Sequence, residues 1–167
     1  MHLINGPAFL LGDNINTDLI VPPKFVGESN LVIMASHAFE AIRPELPSLL
    51  KNGGVLVCGE NFGCGSSREQ ATEVIKQLGI TCVIAKSFAR IFFRNAINNG
   101  LLVLQCARLH SQVVEGDLLR ISPDKGEIQL SGGSIVHFDR LPDSLMAMVR
   151  EGGLVNYWKK VNNQGHA

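Results

Sequence analysis

An excess of charge of either sign is missing from this sequence. Fifteen lysines and arginines balance fifteen aspartates and glutamates over 167 residues, so no net field draws in nucleic acid or an anionic membrane surface. Small molecules and protein partners are the expected ligands. No stretch approaches the ~20 apolar residues that span a bilayer, and the opening MHLINGPAFLLGDNINTDLI has no basic start followed by a long apolar run. The cytoplasm is therefore the expected compartment. Repeats, low-complexity tracts and charged linkers are also missing. With 46% apolar and 18% charged residues, residues 1–167 are expected to form one domain with a well-buried core.

Metal-ligand spacing is missing as well. Cys58, Cys64, Cys82 and Cys106 lie six, eighteen and twenty-four residues apart, which fits no paired zinc or iron-sulfur pattern. Cys82 and Cys106 lie in or beside apolar runs and read as reduced, buried thiols. Cys64, between Gly63 and Gly65 in a loop entering a helix, has the setting of an activated thiolate. No histidine lies nearby in sequence to act as its base.

What is present is clearest in the middle of the chain. The apolar runs VLVCGE (55–60), TCVIA (81–85) and LLVLQ (101–105) suit buried strands. Between the first two, Ala71, Val74, Ile75 and Leu78 fall on one helical face, with Gly79 as the stop. Between the second and third, Ala89, Phe92, Phe93, Ala96 and Ile97 repeat the pattern, with Ser87 as the expected N-cap and Gly100 as the terminator. This alternation predicts an α/β fold with a core of parallel strands, and a binding site in the loops at their carboxyl ends. Beyond residue 106 the short alternating segments DLLRIS, GEIQL and SIVHF predict an antiparallel meander. The tail reads as a helix, a Gly-Gly break and a second helix. At the start, GPAFLLG predicts a strand, DNINTDLIVPP a polar loop and ASHAFEAI the start of a helix.

The stretch GENFGCGSSREQA, residues 59–71, occupies one of the predicted binding loops. Ser66 with Glu69, and Ser67 with Gln70, each have capping-box spacing, which would start the helix here. The free N–H groups of a helix start, next to glycines that let a ligand approach, make a site for an anionic group. The Lys-Ser/Thr ending of a phosphate loop is missing, as is the dinucleotide fingerprint, so a carboxylate remains open. A cation at Arg68 in the first helical turn would oppose the dipole at a cost of ~0.3–1 kcal/mol. Either Arg68 is a tolerated surface residue, or it converges with the N–H groups on one ligand carboxylate. A serine held beside such a cluster would have its alkoxide form stabilised, as proton abstraction requires.

This motif, with GDNINTDLIVP at 12–22 and AKSFARIFFRNAINNGLL at 85–102, resembles the small-subunit family of 3-isopropylmalate dehydratase, which corresponds to the swivelling C-terminal domain of aconitase. The resemblance implies a swivelling β/β/α domain and a hydro-lyase that removes and re-adds water across a hydroxy-acid. It further implies that this chain binds no cofactor, and that a separate large subunit carries a 4Fe–4S cluster and completes a heterodimer or heterotetramer. By position, Ser66 resembles the base that takes the proton next to the carboxylate. Arg68 resembles a clamp on a substrate carboxylate, assisted by Ser67, while Asp18 and the adjacent Thr17 resemble members of the site's hydrogen-bond network. From the residues alone, Thr17 and Asp18 read as a polar turn, His37 as helix packing or capping, and Gly59, Gly63 and Gly65 as backbone requirements.

One departure bears on substrate. Many members of the family carry an arginine, in a Tyr-Leu-Arg type segment, in the loop that touches the variable substituent. Here the loop reads PPKFVGESN, 22–30, without arginine. Either Lys24 supplies charge, or its methylenes cover apolar surface while its ammonium stays in water, with Phe25 and Val26 lining an apolar pocket. The two prolines are expected to hold the segment extended. Isopropylmalate is the leading substrate. Homoaconitate, citramalate or citraconate, and dimethylmalate are the alternatives, as is a non-catalytic anion-binding module of the same fold.

Overall fold

The computed structural model describes residues 3–164. One seven-stranded sheet organises the chain. Its strands are β1 (Ile4–Leu11), β2 (Gly54–Cys58), β3 (Ile80–Ala85), β4 (Leu102–Gln105), β5 (Leu118–Ser122), β6 (Glu127–Gln129) and β7 (Ile135–His137), in the order β4-β3-β2-β1-β5-β6-β7. The first four run parallel, and β5, β6 and β7 extend the sheet antiparallel from β1. Every residue of β2 is buried, as expected of a central parallel strand covered on both faces, which is why its sequence reads as an unbroken apolar run. In β5 only Leu119 and Ile121 point fully inward, giving the alternation of a strand with one wet face.

The helices are α1 (Thr17–Ile20), α2 (Leu31–Ser36), α3 (Leu46–Leu49), α4 (Glu69–Gln77), α5 (Arg90–Asn98), α6 (Asp143–Arg150) and α7 (Leu154–Gln164). Right-handed crossovers between consecutive parallel neighbours place their connecting helices on one side of the sheet. There α2, α4, α5, α6 and α7 pack each on the next. The inward stripes are those expected: Ala71, Val74 and Ile75 on α4, and Phe92, Ala96 and Ile97 on α5, are buried. Gly79 (φ 79°) and Gly100 (φ 73°) end these helices in the left-handed region. On β2 also rests the 3-10 turn Leu109–Ser111, with Leu109 fully buried and His110 Nε2 2.9 Å from the carbonyl oxygen of Leu11.

Four local expectations are corrected. The polar loop after β1 contains α1, because Asn16 accepts from the N–H of Leu19 at 2.9 Å and caps it. The segment after Pro22 is not extended: Pro23–Phe25 is a 3-10 turn, for which proline's fixed φ is suited. Residues around His37 end a helix rather than start one, since α2 begins at the cap Asn30 and His37 is its C-terminal cap residue. The N-cap position of α5 falls on Ala89, because the Ser87 hydroxyl is taken by the backbone N–H of Asn61 at 2.8 Å.

Candidate active site

The loops leaving β1, β2 and β3 at their carboxyl ends continue to pair after the regular strands stop. Asn14 N–H donates to Glu60 O (2.7 Å), Gly63 N–H to Ile15 O (2.7 Å) and Thr17 N–H to Cys64 O (2.8 Å) on one side. Phe62 N–H donates to Ser87 O (3.0 Å) and Ala89 N–H to Phe62 O (2.9 Å) on the other. The glycine-rich loop is thus an irregular extension of β2 between its two neighbours, held by backbone bonds. Asp13 Oδ1 accepts from Glu60 N–H at 2.7 Å, and Asn61 Nδ2 donates to Asn14 Oδ1 at 3.0 Å. Asn14 and Asn61 both have positive φ, which asparagine tolerates better than most residues.

Gly63 is a steric requirement of this arrangement. Its φ is 77°, and a methyl group there would overlap both the ring and Cβ of Phe92 on α5. Gly63→Ala is therefore expected to lower unfolding free energy by about 2–4 kcal/mol, from left-handed backbone strain together with overpacking. Denaturant unfolding measures this, and a loss below ~1 kcal/mol would mean that Phe92 moves aside freely.

The loop delivers Ser66 and Arg68 to α1. Thr17, which is buried, donates through Oγ1 to the Ser66 carbonyl oxygen at 3.0 Å, and its Oγ1 lies 3.3 Å from Ser66 Oγ. Two residues on, Arg68 Nη1 pairs with Asp18 Oδ1 at 2.6 Å and donates to the Val21 carbonyl oxygen at 3.2 Å. The four side chains Thr17, Asp18, Ser66 and Arg68 thus form one cluster. Ser67 is exposed beside them and makes no hydrogen bond among the described residues.

Neither serine caps α4. Arg68 occupies the N-cap position with extended backbone (φ −100°, ψ 110°) and no side-chain cap bond. The Ser66 carbonyl accepts the N–H of Arg68 at 2.9 Å, a tight turn that holds Ser66 outside the helix. Arg68 is consequently not in the first turn, and Asp18 neutralises its charge at the helix entrance.

Lys24, Phe25 and Val26 lie just past Val21, whose carbonyl holds Arg68. Phe25 is half-buried and stacks on His37, with ring centroids 4.2 Å apart. Val26 is half-buried. The ammonium of Lys24 is 2.7 Å from Glu40 Oε1 and 5.0 Å from the centre of the Phe25 ring, so it is exposed but paired rather than simply solvated. Glu40 also meets His37 Nδ1 at 3.1 Å. The capping role of Asn16 was signalled by an asparagine opening a four-residue turn; the pairing of Glu40 with Lys24 had no local signal.

Cys58, Cys82 and Cys106 are buried, and burial pushes the thiols of Cys58 and Cys82 well up. Cys64 is half-buried, and its carbonyl oxygen ties down α1. Among the described residues no group of three or more His, Cys, Asp or Glu is placed to hold a metal ion. No helix among them is long and apolar enough to cross a membrane.

Comparison with known proteins identifies the family. The aconitase C-terminal domain family matches residues 48–109, the span carrying β2, the glycine-rich loop, α4, β3, α5 and β4. The 3-isopropylmalate dehydratase small subunit of Lachnospira eligens is 48% identical over 158 residues, covering 95% of each chain. The methanogen homoaconitase small subunit of Methanothermobacter thermautotrophicus is 41% identical over 164 residues, covering 98% of this chain and 95% of that one. The crystal structure of 3-isopropylmalate dehydratase from Methanocaldococcus jannaschii superposes with a TM-score of 0.93 at 40% identity, covering 99% of this chain and 98% of that one. The identity over nearly the whole length and the shared fold show the family: the chain belongs to the 3-isopropylmalate dehydratase small subunits, and its residues 48–109 match the aconitase C-terminal domain.

Proposed function

We propose that the chain is the small subunit of a hydro-lyase that interconverts 3-isopropylmalate and 2-isopropylmalate by loss and return of water, serving leucine biosynthesis. The observation that carries the reading is the meeting of Ser66 and Arg68, both delivered by the glycine-rich loop, with Thr17 and Asp18 of α1. Ser66 Oγ takes the proton from the carbon next to a substrate carboxylate. For this Ser66 acts as its alkoxide and becomes the neutral hydroxyl as it takes the proton. Thr17, within reach of Ser66 Oγ, can turn its own O–H toward that oxygen while it carries the negative charge. Among the described residues Arg68 uses only Nη1, for Asp18 and Val21, so Nε and Nη2 remain for a carboxylate, with Ser67 beside them. Asp18 fixes the orientation of that guanidinium.

The hydroxyl that departs needs an activator which this chain does not supply. The 4Fe–4S cluster is assigned to the large subunit, the family's iron-sulfur partner, with which this chain forms a heterodimer or heterotetramer. That partner also covers Ser66 and Ser67, both exposed here, and so removes water from the reacting centre. The compartment this reading favours is the cytoplasm.

Substrate choice is assigned to Lys24, Phe25 and Val26. Relatives carry both isopropylmalate and homoaconitate names, so overall identity does not choose between them, and the choice is assigned here to the local loop. With Lys24 already paired, a third carboxylate buried here would have no fixed cation and would cost several kcal/mol, whereas one methylene more or less changes discrimination by only ~1–3 kcal/mol. In the complex with its own large subunit, kcat/KM for 3-isopropylmalate is expected to exceed that for homocitrate or homoaconitate by about 100-fold or more. Smaller alkylmalates should fall closer. Each subunit alone should be inactive on all of them. A preference for the tricarboxylates would transfer the assignment to homoaconitate, and activity of this chain alone would overturn the division of labour.

A further inference from the structure

Glu40 lies outside the glycine-rich loop and outside the segment 22–30, yet it touches what that segment offers. Its Oε1 is 2.7 Å from Lys24 Nζ and its Oε2 is 3.1 Å from His37 Nδ1. His37 in turn carries the ring of Phe25 on its face at 4.2 Å. The Glu40 side chain is the more sheltered partner, 28% exposed against 62% for Lys24. The hydrogen bond from Lys24, with His37 adding to it, holds the Glu40 carboxyl below the usual carboxylate range, so it is ionised at neutral pH. The only cation in segment 22–30 is thereby neutralised and drawn towards the end of α2. Glu40 is three residues beyond His37, the cap residue of α2, so the anchor is part of the framework and not of the mobile end of the lysine.

We propose that Glu40 is a specificity-determining residue: by holding Lys24 in an ion pair and Phe25 against His37, it denies the substrate pocket a cation and presents an apolar surface instead. The proposal rests on the reading that segment 22–30 faces the substrate's variable group. An alkyl substituent then meets Phe25 and Val26, while an added carboxylate must compete with Glu40 for Lys24. The competition is unequal, because the pair with Glu40 is already formed and the carboxylate must leave water to replace it.

Glu40→Gln separates charge from geometry. The glutamine oxygen can still accept from His37, keeping the stack with Phe25, but Lys24 is released from its counter-charge. In the complex with the large subunit, the ratio of kcat/KM for homoaconitate over 3-isopropylmalate is expected to rise about 3- to 10-fold. Adding Lys24→Met to Glu40→Gln should return the ratio towards its original value, which a merely structural role of Glu40 would not produce. Phe25→Ala, measured on the same panel, reports on the segment itself. If Phe25→Ala changes the ratio and Glu40→Gln does not, Glu40 has no part in specificity and the proposal fails while the placement of the segment stands. If neither variant changes the ratio, the segment does not face the variable group and both readings fail.

Discussion

Arg68→Lys, assembled with the large subunit, is expected to lower kcat/KM by about 100- to 1,000-fold, chiefly through a higher KM. Nη1 is committed to Asp18 at 2.6 Å and to the Val21 carbonyl at 3.2 Å, and its other nitrogens are left for substrate. A lysine has a single ammonium, which cannot hold Asp18 and present a paired face to a carboxylate together. Two charge-assisted hydrogen bonds are lost or weakened, each contributing about 1.5–3 kcal/mol. Because the carboxylate is present in ground state and transition state alike, the loss shows mainly in KM, with kcat changed less. The effect on folding is small by comparison: Asp18 is 48% exposed, and a pair so placed contributes no more than ~1 kcal/mol. Steady-state kinetics beside denaturant unfolding separate the two. Unchanged KM with reduced stability would make Arg68 a structural tie to α1 only.

Much of the fold is legible because the parallel core leaves little choice. β2 and β3 are buried on both faces and read as apolar runs, and the helices between them carry apolar stripes ended by Gly79 and Gly100. The meander is legible because the buried Leu119, Ile121, Ile128 and Val136 alternate with exposed or half-buried neighbours. What was misread depends on competition for a hydrogen bond. Ser66 and Ser67 both have capping-box spacing, yet Thr17, 49 residues away, binds the Ser66 carbonyl and reaches its hydroxyl. Ser87 was expected to cap α5, and the backbone of Asn61 claims it instead. Local patterns show what a side chain is able to bond, and the tertiary fold decides which partner arrives.

The candidate site divides in the same way. Ser66, Ser67 and Arg68 stand out in the glycine-rich motif, whereas Thr17 and Asp18 read as a polar turn from the residues alone and enter only through the resemblance. That the two segments meet follows from the adjacency of β1 and β2 and the pairing of the loops beyond them. The pairing of Lys24 with Glu40 was not legible, because it depends on the turn between α2 and Phe39 bringing residue 40 back over the 3-10 turn at Pro23–Phe25.

Ser66→Ala is expected to lower kcat by about 100- to 10,000-fold, the range for a positioned general base, while KM changes little. Stability should fall by no more than ~1 kcal/mol, since the hydroxyl makes one hydrogen bond, to Thr17 at 3.3 Å, and caps no helix. The fold that positions the serine does not rely on its hydroxyl, because the Thr17 bond to the Ser66 carbonyl and the turn to Arg68 are both made through its backbone. The decisive measurement is therefore kcat for 3-isopropylmalate, with the wild-type chain and with Ser66→Ala, each assembled anaerobically with the same large subunit and matched for folded protein by unfolding midpoint. Turnover that collapses at an unchanged midpoint is the predicted result; turnover that survives the substitution would contradict the assignment of the proton transfer to this chain.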